Sequence, residues 1–347
     1  MSNKTGGFFG FIKRLFGIGN NADRKSQTSG VSNEDFDEDL AESYKYDEEK
    51  ARREAEEMIE QSFEEEKINP DDPSVFFQRA TGYSILDDNE TALSLLDKVL
   101  SIDADYIDAY RLKATIYEES ENYEEVVNYL NRAISLHSVK TDASSEFLPQ
   151  NVNDLLLNFE ISEKAGDFQK RGAAHFNLNN HEAAIVDFSK AIEIDSNNDF
   201  LYSSRGEVYL EMGNAEKALQ DLNKAIAIEE HEFNYANRAG IYKHLGDLDA
   251  ALRDISKAIA LNEANNSESA QYFDGHLDRA EIYMEKGDFD SAVQDFTVQI
   301  EKDPSFIDPY ERRAAAYRSL GMESLAQSDE QKAAELSAEN EESEKSL

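Results

Sequence analysis

Arginine and aspartate recur along this sequence in two series, and they are the first residues with chemistry to offer. Arg79, Arg171, Arg205, Arg238, Arg279 and Arg313 form one series, and Asp187, Asp221, Asp254, Asp295 and Asp329 the other. A row of guanidinium groups can bind anions, whereas an arginine facing an aspartate makes a bidentate pair that fixes the register of two helices. The two residues co-occur in the last five members of the series, which favours the structural pairing. The histidines are His137, His175, His181, His231, His244 and His276, and none forms the i, i+4 pair of a zinc-binding helix. With no cysteine in the chain, thiolate zinc sites, iron–sulfur clusters, disulfides and a cysteine nucleophile are all excluded. Carboxylate pairs are expected by chance among 73 acids, and the run from Asp103 to Asp108 lacks the glycine and terminal glutamate of a calcium loop. No serine–histidine couple or glycine-rich phosphate loop stands in a strand–turn–helix context. An enzyme active site, a metal and a cofactor are therefore not expected.

The elements that carry these residues are helical. The chain has 347 residues, 40% of them hydrophobic and 31% charged, with only five prolines and 16 glycines. That composition favours helix and is long enough to bury a sizeable core. A formal net charge of −38 disfavours a nucleic-acid partner, because phosphate binding needs a basic face.

A period near 34 residues sets the organisation. Small residues recur at Ala92, Val126, Ala184, Ala218, Ala251, Ala292 and Ala326, at spacings of 34, 58, 34, 33, 41 and 34. Nine positions earlier stand Tyr83, Tyr117, Tyr209, Tyr242, Tyr283 and Tyr317, with His175 as the exception. Four positions later come Leu96, Leu130, Phe188, Leu222, Ile255 and Phe296, and three beyond these Ala133, Ala191, Ala225, Ala258 and Ala333. Two antiparallel helices per period satisfy the pattern: small residues let the backbones approach and aromatics fill the space around them. Gly213-Asn214, Gly246-Asp247, Gly287-Asp288 and Gly321 mark the turns within the hairpins. One hairpin cannot bury its own apolar face, so stacking must create the core.

This arrangement resembles the tetratricopeptide repeat family. The stretches at 169–195, 235–262 and 277–304 follow its pattern, and seven units begin near 73, 107, 165, 199, 232, 273 and 307. Where the family often has tryptophan, Phe76, Tyr110, Phe168, Tyr202, Tyr235, His276 and Tyr310 stand instead, and Gln299 replaces the later alanine of the sixth unit. The resemblance implies an all-α fold, a right-handed α-solenoid of about seven helix–turn–helix repeats preceded by a disordered acidic N-terminal region. The segments are 1–22, a basic amphipathic tip; 23–72, an acidic linker; 73–140, the first two repeats; 141–164, an insertion; 165–265, repeats three to five; 266–340, repeats six and seven; and 341–347, an acidic tail. Within the insertion, Asn153 to Lys164 reads as an extra amphipathic helix placed to divide the superhelix into two blocks. The extra residues around 262–270 read as a polar loop.

Charge is unevenly spread before the repeats. Residues 1–25 carry a net +4 and residues 26–72 a net −13. The stretch from Ser26 to Tyr44 is expected to be disordered. That from Lys45 to Glu66 has helix-forming composition but little apolar stripe, so it is expected to stay out of the core. At the tip, Phe8, Phe9, Phe11, Ile12, Leu15, Phe16 and Ile18 share one half of a helical wheel, and Lys13 and Arg14 occupy the other. Such a helix lies in a membrane interface with its apolar face down. It is too short and too interrupted by charge to span a bilayer or to be a secretory signal. An organellar transit peptide and a self-docking tail are the competing readings.

The resemblance also implies a concave face lined by the first helix of each repeat, where a protein or peptide partner docks. That face comprises Phe200, Ser203, Glu207, Leu210 and Glu211; then Phe233, Ala236, Gly240, Lys243 and His244; then Asp274, Leu277, Glu281, Met284 and Glu285. Phe200, Glu207, Leu210, Glu211, Phe233, Lys243, Leu277, Glu281 and Met284 are the candidate partner contacts. Ser203, Glu207, Asn237, Asp274 and Asp278 stand where some members clamp a C-terminal carboxylate with lysine and asparagine, so that ligand is not expected. A mixture of apolar residues and acids suits a basic or amphipathic peptide. The expected function is a non-enzymatic, cytoplasmic adaptor with no nucleic-acid or small-molecule ligand, peripheral at a membrane through its tip. A soluble assembly chaperone for a basic client is the alternative.

Overall fold

The computed structural model describes residues 33–140, 150–265 and 275–345, and within them the chain forms fifteen α-helices and no strand. α1 (Asn33–Ile68) stands alone. Seven hairpins follow: α2 (Pro73–Ile85) with α3 (Asn89–Ile102), α4 (Ile107–Glu119) with α5 (Tyr123–Lys140), and α6 (Gln150–Asn177) with α7 (His181–Ile194). Then come α8 (Asp199–Glu211) with α9 (Ala215–Ile228), α10 (Glu232–His244) with α11 (Leu248–Asn265), α12 (Gly275–Lys286) with α13 (Phe289–Lys302), and α14 (Ile307–Ser319) with α15 (Glu323–Lys345). The chain divides into two compact units, residues 1–190 and 191–347. Each is a stack of hairpins of the expected all-α solenoid class.

The expected core positions are the buried ones. Ala92, Val126, Ala184, Ala218, Ala251, Ala292 and Ala326 are all shut off from solvent, as are Leu96, Leu130, Phe188, Leu222, Ile255 and Phe296. Burying each of these larger side chains contributes roughly 1.5–3 kcal/mol, so stacking supplies most of the stability. The helices stop where the backbone turns left-handed, at Gly213, Gly246, Gly287 and Gly321, with φ between 73° and 79°. Asp87, Glu121 and Asn179 fill the same slot in the first three repeats, with φ of 63°, 56° and 59°. Side-chain caps start the second helices: Asp88 accepts from the Thr91 N–H, Asn214 from Lys217 and Asp288 from Ser291.

Three expectations about the chain outside the regular repeats give way. The helix α1 begins at Asn33, so the stretch 26–44 is not disordered throughout. Nor does 45–66 stay out of the core, since Ala51, Ala55 and Ser62 are buried against α2. The reason lies on the facing helix. A Cβ at Gly82 would sit 2.6 Å from the Ile59 side chain and 3.0 Å from the Ala55 carbonyl oxygen, so glycine there lets α1 lie unusually close. Small residues make the contact, and they leave little hydrophobic pattern to read.

The residues Asn153 to Lys164 do not form a helix of their own. They run without a break into the first helix of the third repeat as the N-terminal part of α6. Arg111 of α4 holds this extension to the second repeat, pairing with Glu163 at 2.7 Å and with Asp167 at 3.0 Å, and Lys170 donates to Thr115. The division into two units accordingly falls after Lys190, not at the insertion.

Candidate functional site

The arginine and aspartate series meet within each of the last five repeats, sixteen residues apart in sequence. Arg171 with Asp187, Arg205 with Asp221, Arg238 with Asp254, Arg279 with Asp295 and Arg313 with Asp329 are all bidentate, through Nε and one terminal nitrogen. The aspartates are at least nine-tenths buried. The Asp221, Asp254, Asp295 and Asp329 carboxylates hold their arginines above the ordinary guanidinium range, against the opposing effect of burial. Arg205 also lies over the rings of Tyr202 and Tyr209, each 5.9 Å away. Each of these arginines is neutralised by the aspartate of its own repeat, and Arg171, Arg238, Arg279 and Arg313 also donate to Asn131, Asn223, Ser256 and Thr297 of the repeat before. Arg79 has Leu95 in place of an aspartate sixteen positions on, and it turns to α1, donating to Ser62 and pairing with Glu66 at 2.7 Å.

The first helices of the second unit present the remaining candidates. Phe200 is 57% exposed and Phe233 43%, the latter stacked on His231 at 5.3 Å. Their helices are joined beside them: Asn234 donates to the Asp199 carboxylate at 2.8 Å and accepts from Ser203. Further along α8, desolvation raises the Glu207 carboxyl above its ordinary value and Glu211 pushes it the same way. Among the described residues no cation pairs with either acid. Leu210, Leu277 and Met284 are half-buried and pack against the cores of their hairpins, which leaves them a smaller share of free surface.

Glu281 departs from the expected acidic surface. Its two oxygens accept from Lys243, at 2.6 Å, and from Arg312. Burial alone would lower Lys243, but its bonds to Glu281 and to Glu285, 3.3 Å away, outweigh that and hold it above the ordinary lysine value. Arg312 also pairs with Asp308 at 2.6 Å. Fifth, sixth and seventh repeats are thus cross-braced, and neither Lys243 nor Glu281 offers a free charge to a partner. The sequence reading missed Asn234 and Arg312 because each acts on a residue about one repeat away, and with Arg312 it missed Asp308, which holds that arginine from four residues before it. Asp274 and the tip residues Phe8, Phe9, Phe11, Ile12, Leu15 and Phe16 lie outside the described residues.

Among the described residues no group of three or more histidines and acids is placed to hold a metal ion. No described helix is long and apolar enough to cross a membrane. His175 and His276 fill aromatic core positions, and burial lowers both below the ordinary histidine value.

Comparison with known families matches the description "Tetratricopeptide repeat" over residues 107–137, 201–232 and 234–265, and "TPR repeat" over 172–213. These segments carry the hairpins, turns and buried small residues described above. Over these residues the chain is built of tetratricopeptide repeats. No curated protein matches this tetratricopeptide repeat chain at a significant level. Among solved structures, MamA is 23% identical over 49% of this chain and 96% of its own, with a TM-score of 0.44. YrrB, described as a TPR protein with an unusual peptide-binding site, is 19% identical over 58% of this chain and 93% of its own, at 0.46. A tetratricopeptide repeat protein from Parabacteroides merdae is 20% identical over 64% and 77%, at 0.48. Tetratricopeptide repeats are a non-enzymatic scaffold for protein–protein interaction, and this chain is such a scaffold for a protein or peptide partner.

Proposed function

We propose that this protein is an adaptor that captures a basic or amphipathic peptide on the first-helix face of its second unit. The observation that carries the reading is the presence, on these first helices, of two exposed phenylalanines, Phe200 and Phe233, and two exposed acids, Glu207 and Glu211, with which no cation pairs among the described residues. Apolar surface of this kind, bordered by one sign of charge, favours an amphipathic ligand of the opposite sign. The test compares wild-type protein with the Glu207→Lys/Glu211→Lys variant as bait in affinity capture. A partner held by the wild type and lost by the variant supports the reading, and equal retention removes this face from it.

The basic tip at 8–18 would attach the adaptor to a membrane surface, with the acidic segment after it giving reach, and so place it in the cytoplasm at the membrane periphery. Support comes from the wheel that gathers Phe8, Phe9, Phe11, Ile12, Leu15 and Phe16 on one side, with Lys13 and Arg14 opposite. Flotation with anionic liposomes should be strong for the full chain and abolished by Phe11→Asp/Leu15→Asp. Unchanged flotation would leave the soluble assembly chaperone for a basic client as the better account.

A further inference from the structure

Gly240 is the residue on this face that the fold does not use. It lies inside α10, exposed and without the left-handed backbone that requires glycine, and a Cβ built on it meets nothing within 4 Å. Gly82 and Gly172 differ, because a Cβ there would press on a neighbouring helix at 2.6 and 3.3 Å, and at Gly206 it would rest in ordinary contact with one at 3.4 Å. A glycine inside a helix weakens it relative to alanine, so at Gly240 stability is given up with no packing in return. Gly166 in α6 has similarly open surroundings, but the acids near it, Glu163 and Asp167, are already paired with Arg111. At the position of α8 equivalent to Gly240, 33 residues earlier, stands Glu207, with Glu211 one turn on; both are exposed, and among the described residues no cation pairs with either.

A glycine that weakens its helix with no packing in return, and two exposed acids with no cation among the described residues, stand at matching positions of adjacent first helices and point to a ligand. Position along the helices then fixes its layout. Phe200 and Glu207 are seven residues apart on α8, as are Phe233 and Gly240 on α10, so each pair shares a face about 10 Å apart. The bond from Asn234 to Asp199 and Ser203 sets the phenylalanine ends of the two helices side by side. An open floor one side chain wide suits an extended chain better than a helix of about 10 Å diameter. About 10 Å is three residues of extended peptide.

We infer that the partner segment is an extended peptide whose large apolar side chain rests against Phe200 and Phe233. Its lysine or arginine, three residues away, pairs with Glu207 and Glu211 above the open floor at Gly240. Glu281 takes no part, because Lys243 and Arg312 already neutralise it. This inference rests on the proposed function, in that the second unit's first-helix face must be the docking face.

A random twelve-residue phage-displayed library selected on the full-length protein supplies the probe. The enriched peptides should carry a large apolar residue and a lysine or arginine three positions apart. As synthetic labelled peptides they should lose at least tenfold in affinity, by fluorescence anisotropy, to Glu207→Gln/Glu211→Gln and to Gly240→Leu. Glu281→Gln should leave the affinity within about twofold. Gly240→Ala should weaken binding while raising Tm by about 2–4 °C, a combination that damage to the fold does not produce. Peptides that need Phe200 and Phe233 but ignore Glu207, Glu211 and Gly240 would overturn the inferred layout and spare the docking face. Selection indifferent to Phe200→Ser/Phe233→Ser as well would overturn the docking face itself.

Discussion

Arg238 and Asp254 are both largely withdrawn from solvent, at 17% and 11% side-chain exposure, so removing either one leaves the other charge buried. Removing both charges together leaves an apolar contact between the helices. Asp254→Ala should therefore cost about 2–4 kcal/mol in urea denaturation, and Arg238→Met/Asp254→Leu clearly less. The buried histidines add a pH dependence. His175 and His276 are lowered below 6.5 by burial, so the unfolded chain takes up their protons first as pH falls. Stability should decline as pH drops below about 6.5. His175→Tyr, which installs the aromatic found at this position in the other repeats, should remove part of that slope in melts between pH 7.5 and 5.5.

Seven hairpin turns need a left-handed residue at the same place, and only four have glycine there. Glu121 takes φ of 56°, a left-handed backbone that costs a residue with a Cβ more than it costs glycine. Glu121→Gly should raise stability by about 0.5–1 kcal/mol, measured by thermal and urea unfolding. At α1 the logic reverses, because glycine is needed for space. Gly82→Ala would drive a methyl into Ile59 and the Ala55 carbonyl, forcing α1 outward at a cost of about 1–3 kcal/mol. Hydrogen exchange should then show α1 losing protection before α4 and α5 do. Arg79 sharpens the effect, since its carboxylate partner, Glu66, leaves with α1.

Across the whole molecule a net charge of −38 works against compaction. Added salt screens exposed charges more than the half-buried arginine–aspartate pairs, so Tm should rise between 20 and 200 mM NaCl, roughly as the Debye length shrinks below 10 Å. A fall in Tm over that range would show the exposed ion pairs to outweigh the repulsion. Repeat number, hairpin register, turn positions and the arginine–aspartate pairing were all legible in the residues, because each is set within some 34 positions and recurs. Contacts between neighbouring repeats were not. Glu281 reads as a free acid until Lys243, 38 residues before it, and Arg312, 31 after it, are brought to its two oxygens. The docking of α1 was hidden for a related reason. Ala51, Ala55 and Ser62 carry almost no hydrophobic signal, and they become core residues only because Gly82, on another helix, has no side chain to keep them away. Periodicity is a property of the chain, whereas neutralised charge and close approach belong to the distance between repeats, which stacking alone decides.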